Sequence, residues 1–440
     1  MKALNKKELV PICITLYSLV LLLLSSCNSN NEKKQITHKA DYEAYLTLPK
    51  DEVLQRTKED YSFWEKKLEK EPEQFPYLVK VAASQSKLFS KTGTIDYLIK
   101  AEKNLLKANE ATGYKNPGYL KSLAHNYVSQ HRFKEALSLL KKAEMIGSGM
   151  ESTQKMLFDV YMELGNYTQA KRYLDKVTDP NDFDYLIRLA KWSDHRGDLD
   201  AAIKYMEKAQ AIGVASNIPS IEQWIYTNLA DFYGHAGKIQ QSYEHYLKAL
   251  EIDPNDAYAK KGIAWIVYSY EKDPDEALRI LDHITEKNQT PSYYLLKAEI
   301  ADYKSDSKLK EYYTKKYKKA VQDTNYGNMY NKYNVLLYAD NKMESEKALE
   351  IAHIEINNRP TPESYDLLAW SQFNRGDIKE ALDIMEKYVA GQTFEPHVLF
   401  HLAEVYKANG RLEKAKALKK ELESSAFELG PLVAKEIQNM

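Results

Sequence analysis

Residues 229–254 read LADFYGHAGKIQQSYEHYLKALEIDP. Leu229-Ala230 is followed by Tyr233, then Gly237, then Ser242, Tyr246 and Ala249, and the stretch closes on Pro254. Apolar residues recurring three and four apart on both sides of a glycine describe two amphipathic helices joined by a tight turn. Gly237 suits such a turn because it enters positive φ without steric cost. The alanines allow the two helices close approach, and the larger apolar side chains fill the space between neighbouring pairs.

The same frame returns along the chain. Leu123-Ala124 leads Tyr127, Ala136, Leu140 and Ala143; Leu157 leads Tyr161, Gly165, Ala170 and Leu174; Leu189-Ala190 leads Gly197, Ala202, Met206 and Ala209. Leu368-Ala369 precedes Gly376, Ala381 and Met385, and Leu402-Ala403 precedes Tyr406, Gly410 and Ala415. The leading leucines are spaced by 34, 32, 40, 139 and 34 residues, and the long gap holds weaker copies at Ile263-Ala264, Ile300-Ala301 and Val335. Period and residues resemble the tetratricopeptide repeat family, over roughly residues 75–425 and about ten units. The resemblance implies an all-α solenoid of helix-turn-helix repeats wound into a superhelix, each unit burying its face against the next. Residues 258–345 are degenerate: Tyr- and Lys-rich, without the turn glycine, and the superhelix is expected to bend or break there. Residues 40–74 are read as an N-terminal helical cap and 426–440, with Gly430-Pro431, as a C-terminal capping segment.

Composition agrees with long helices. Gly numbers 16 and Pro 14 in 440 residues, and a net charge of -1 with 28% charged residues leaves no basic excess for nucleic acid. The chain opens with Lys2, Lys6 and Lys7, an apolar run from about Val10 to Leu24, and Leu24-Ser25-Ser26-Cys27. That layout is a signal peptide over 1–26. The run is too short for a permanent spanning helix, and Pro11 lies inside it. The tetrad resembles a bacterial lipobox, which implies lipidation of Cys27 as first mature residue and a polar tether over 27–39. Acyl chains there would anchor the protein to a membrane without insertion. Cys13 falls in the removed segment, so the mature chain has no thiol pair. Asn28 lacks the Asp associated with inner-membrane retention, which points to the outer membrane of a bacterial envelope.

No phosphate loop, zinc-protease signature or nucleophile elbow occurs, so the reading is of a protein that is not an enzyme and uses no cofactor. His397, His401 and Glu404 stand one helical turn apart, but they read better as groove residues than as metal ligands. The resemblance implies a concave surface lined by the first helix of each unit. Mapping the frame puts Trp224, Tyr330, Tyr333, Trp370, Phe373 and Phe400 on that side as a partner-binding groove. The carboxylate clamp of chaperone-binding members is present only in fragments, Lys121 and Arg188, with Asp184 where a lysine is required. The expected function is a lipid-anchored envelope scaffold that holds a protein or peptide. The alternative is a glycan-binding lipoprotein of a nutrient-uptake system, which the nearly gapless repeats disfavour.

Overall fold

The computed structural model describes residues 35–47 and 50–440; the signal peptide, Cys13 and Cys27 lie outside the described residues. Thr37–Met440 forms one compact unit. Among the described residues every regular element is helical.

Two helices come first, α1 (Lys39–Leu46) and α2 (Glu52–Lys70). Ten hairpins follow. The first five are α3 (Phe75–Thr92) with α4 (Ile95–Ala111), α5 (Pro117–Ser129) with α6 (Phe133–Ile146), α7 (Met150–Glu163) with α8 (Tyr167–Lys176), α9 (Phe183–His195) with α10 (Leu199–Ala215), and α11 (Pro219–His235) with α12 (Ile239–Ile252). The next five are α13 (Ala257–Trp265) with α14 (Pro274–Lys287), α15 (Ser292–Tyr303) with α16 (Ser307–Ala320), α17 (Asn331–Ala339) with α18 (Ser345–Asn358), α19 (Pro362–Arg375) with α20 (Ile378–Tyr388), and α21 (Pro396–Ala408) with α22 (Leu412–Ser424). A last helix, α23 (Ala426–Gln438), is kinked at Gly430. The protein is thus an all-α solenoid.

The helix starts show why these segments fold locally. Asp182, Asp198, Asp256, Asp273 and Asp306 each accept a hydrogen bond from the free backbone N–H groups of the helix they precede. The repeat alanines Ala124, Ala136, Ala170, Ala202, Ala249, Ala381 and Ala403 are all buried between helices.

The degenerate stretch neither breaks nor loses its hairpins. The left-handed turn residue, glycine in most other hairpins and His131 (φ 57°) before α6, is Lys272 (φ 64°) before α14 and Ser305 (φ 60°) before α16. A π-helical turn, Ile266–Tyr270, extends α13. The hairpins continue through the stretch, with α13 lengthened by that π-helical turn.

The superhelix closes on itself. Asn288 Nδ2 donates to the Lys91 carbonyl (3.1 Å) and Gln289 N to the Thr92 carbonyl (2.7 Å). Asn358 Nδ2 donates to the His131 carbonyl (3.0 Å), and Arg359 pairs with Glu163 (3.1 Å). Further along, a Cβ on Gly165 would stand 2.9 Å from the Pro360 carbonyl oxygen, and one on Gly197 would meet the Phe394 ring. Trp265 Nε1 and Ser269 Oγ both donate to the Phe427 carbonyl. The within-hairpin turns of the first superhelical turn thus meet, in order, the between-hairpin loops of the second. These side-chain partnerships span 158 to 227 residues.

At the N-terminus, α2 packs on α3, whereas α1 lies elsewhere. Thr37 and Tyr42 bond Glu271 and Glu276, and Tyr243 bonds Asp41. The segment 40–74 is therefore split: α2 covers the solenoid end, and α1 is clamped to the middle, against α12 and α14.

Candidate site: a charged cavity at the seam

The six aromatics assigned to a groove do not form one surface. Tyr330 and Phe400 are core residues, 9% and 5% exposed, and cannot be reached by a partner. Trp224 (40% exposed) packs edge-on against Phe183 of the neighbouring repeat. Tyr333 (41% exposed) tilts against Tyr330. Trp370 and Phe373 stack at 5.1 Å, and Trp370 also stacks on His401 at 3.9 Å, with Phe400 6.0 Å from the same imidazole. Five of the six stand on first helices as the frame requires, and Tyr330 stands at the N-cap of α17, where it is buried with Ile95, Leu98, Tyr317 and Tyr326.

His401 sits in this aromatic cluster with Nδ1 3.0 Å from both carboxylate oxygens of buried Asp366. Burial raises the Asp366 carboxyl, and the imidazole opposite works against that rise. Burial, reinforced by Lys332 and His401, pushes His397 down to about 4, so it is neutral at physiological pH. Glu404 pairs with Lys407 at 3.6 Å. No group of three metal-ligating side chains occurs among the described residues. The clamp fragments are also engaged: Arg188 bonds Asp159 and the Lys155 carbonyl, and Lys121 bonds Ser152.

A different feature stands out where the two superhelical turns meet. A cavity of about 720 Å³ lies between the turns α7/α8, α9/α10 and α11/α12 on one side and the segments around Arg359, Phe394 and Glu428 on the other. Its volume is that of a site for a small ligand or a short peptide segment. None of the six groove aromatics lines it.

Its walls are strongly charged. Glu163 bridges Lys191 (2.9 Å) and Arg359 (3.1 Å), and Arg359 Nε also donates to Glu355 (2.6 Å). Each ion here is held by at least one of opposite sign, as burial requires. Asp194 stands on α9 with Lys191, and Glu363, Glu395 and Glu428 line the other side. Glu363 accepts from Thr393 (3.0 Å), and Glu428 lies 3.9 Å from His235. The Glu395 N–H donates to Thr393 Oγ1 (3.2 Å), but neither its carboxylate nor that of Asp194 has a hydrogen-bonded or ion-paired partner among the described residues. Burial raises all three of Asp194, Glu395 and Glu428, and for Glu395 the nearby Glu363, Glu428 and Asp194 add to the rise while Lys332 opposes it. Aromatic faces accompany the charges: Tyr167 lies on His195 at 4.0 Å, and Phe394 presents a ring 53% exposed.

This cavity has no local signature. Its residues come from the turns and loops, and the partners across the seam are almost 200 positions apart. Of its lining the sequence singles out Gly197, as a turn residue, and the pair Asp194 and Asp198, as capping and solvated helix-end carboxylates with no raised pKa; Asp198 does cap α10, but burial raises Asp194.

Tetratricopeptide repeat models match residues 127–191 and 235–300, and a second such model matches 363–390. The matched stretches lie in both superhelical turns and cover less than half of the chain. No curated protein matches it. Among solved structures, the chain is similar to YrrB, described as a TPR protein with an unusual peptide-binding site (20% identity, 44% of this chain and 95% of that one, TM-score 0.27). It is also similar to Pseudomonas aeruginosa pilF (17% identity, 48% and 94%, TM-score 0.36) and to a human IFIT1 dimer with PPP-AAAA (14% identity, 80% and 72%, TM-score 0.42).

Proposed function

We propose that this protein is a non-catalytic scaffold of the bacterial cell envelope, held on a membrane through lipidated Cys27, which binds a protein partner at the seam cavity. The observation that supports it is the cavity itself: charged and aromatic side chains converge on an open volume of about 720 Å³ framed by two repeat arrays. Repeat solenoids commonly bind along their inner surfaces, whereas the open volume here lies at the seam, among turns and loops of two superhelical turns. Among the described residues no helix is long and apolar enough to cross a membrane, so attachment rests on the Leu24-Ser25-Ser26-Cys27 tetrad. The outer membrane is the proposed address.

Two measurements test the reading. Mass spectrometry of the mature N-terminus should find Cys27 acylated, and Cys27→Ala should release the protein from the membrane fraction; an unmodified, intact N-terminus removes the anchor. In-cell crosslinking of a C-terminally tagged chain should recover a defined protein lost on Lys191→Ala. Recovery unchanged by that substitution would move the binding surface away from the cavity.

A further inference from the structure

We propose that the seam cavity receives an arginine side chain on an extended segment of the partner; this deepens the scaffold reading above and rests on it. Three observations converge. First, the two cations in the wall, Lys191 and Arg359, are already bonded to Glu163 and Glu355, whereas the carboxylates of Asp194 and Glu395 face the space without a bonded partner. Lys332 and His235 are the further basic groups whose charge reaches these carboxylates, and neither bonds Asp194 or Glu395. Like charges gathered in a partly enclosed volume repel, and a cation placed among them relieves that repulsion.

Second, the carboxylates do not converge closely enough to hold a metal ion, and the volume suits an organic group instead. Third, the exposed Phe394 ring and the Tyr167–His195 stack flank the acidic side. A planar guanidinium bonds carboxylates in fork geometry and lies against aromatic faces, both of which a compact ammonium does less well. Charge and aromatic surface together select arginine.

The test uses the full-length chain in detergent and a fluorescent peptide, Gly-Arg-Gly-Arg-Gly, with its citrulline counterpart as the neutral control. The arginine peptide is expected to bind saturably and at least tenfold more tightly than the citrulline peptide, with affinity falling as salt is raised. Asp194→Asn/Glu395→Gln should weaken binding at least tenfold while raising Tm by about 2–4 °C, because the substitutions relieve repulsion. Glu413→Gln, on the outer face at α22, should change neither. Equal binding of both peptides, or an undiminished affinity in the double variant, overturns the proposal. So does spermine binding more tightly than the arginine peptide, which would make the site one for free polyamines. A crosslinked partner retained by the double variant but lost on Lys191→Ala would leave the scaffold reading intact and remove this one.

Discussion

Glu276 ties the N-terminal segment to the solenoid. Tyr42 Oη (3.0 Å), Lys39 (2.8 Å) and Arg279 (2.7 Å) all converge on its carboxylate. Burial alone would raise this carboxyl, but bonds from Arg279, Lys39 and Tyr42 outweigh it and hold it down at about 2. A depressed folded-state value means that the unfolded chain binds the proton more readily. The stabilisation is therefore complete above the unfolded value of about 4.3 and is lost as pH falls towards 2. The protection of α1 amides, taken relative to their intrinsic exchange rate at each pH, should fall across that window, and Glu276→Gln should flatten the fall; constant wild-type protection would contradict it. Glu276→Ala, which leaves the buried Tyr42 hydroxyl without its acceptor, is expected to cost about 1–3 kcal/mol in chemical denaturation. Nothing in residues 40–74 announced this clamp, because its partners lie more than 200 positions away.

At the scale of elements, the turn glycines separate two demands that a sequence presents as one. Gly165 (φ 68°) and Gly410 (φ 71°) share a conformation, yet only Gly165 faces another backbone. Gly410→Ala should cost about 1 kcal/mol, the left-handed strain alone, and Gly165→Ala distinctly more, since Pro360 cannot retreat like a flexible side chain. Urea denaturation of the pair measures the difference; equal losses would mean that the seam yields freely. Conversely, exposed Ser305 occupies a left-handed position with an ordinary side chain, so Ser305→Gly should stabilise by about 1 kcal/mol. The repeat frame predicted hairpins across 258–345 only weakly because it looked for glycine. The chain meets the same backbone requirement with Lys272 and Ser305, and this left the segment looking irregular when it is not.

For the whole molecule, the seam changes how the solenoid unfolds. A simple array has nearest-neighbour coupling only and can melt repeat by repeat. Here bonds between the two superhelical turns couple hairpins nearly 200 residues apart, so one cooperative urea transition is expected by circular dichroism. Arg359→Ala, which cuts the Glu163–Arg359–Glu355 bridge, should split or broaden that transition; a wild type already melting in separate steps would refute the coupling. The all-α solenoid was legible from residues 229–254 and their echoes, because each hairpin is specified by short-range periodicity, capping and small-residue contacts. The groove aromatics, Tyr330 excepted, were legible as positions on first helices, but their exposure was not, since winding decides which of those faces stays open. The sequence alone thus determined the repeating unit, whose interactions are local. The pitch of the superhelix, the burial of Tyr330 and Phe400, the clamp on α1 and the charged seam cavity were decided only by tertiary structure. They arise from contacts between turns of the coil, which no short-range pattern encodes.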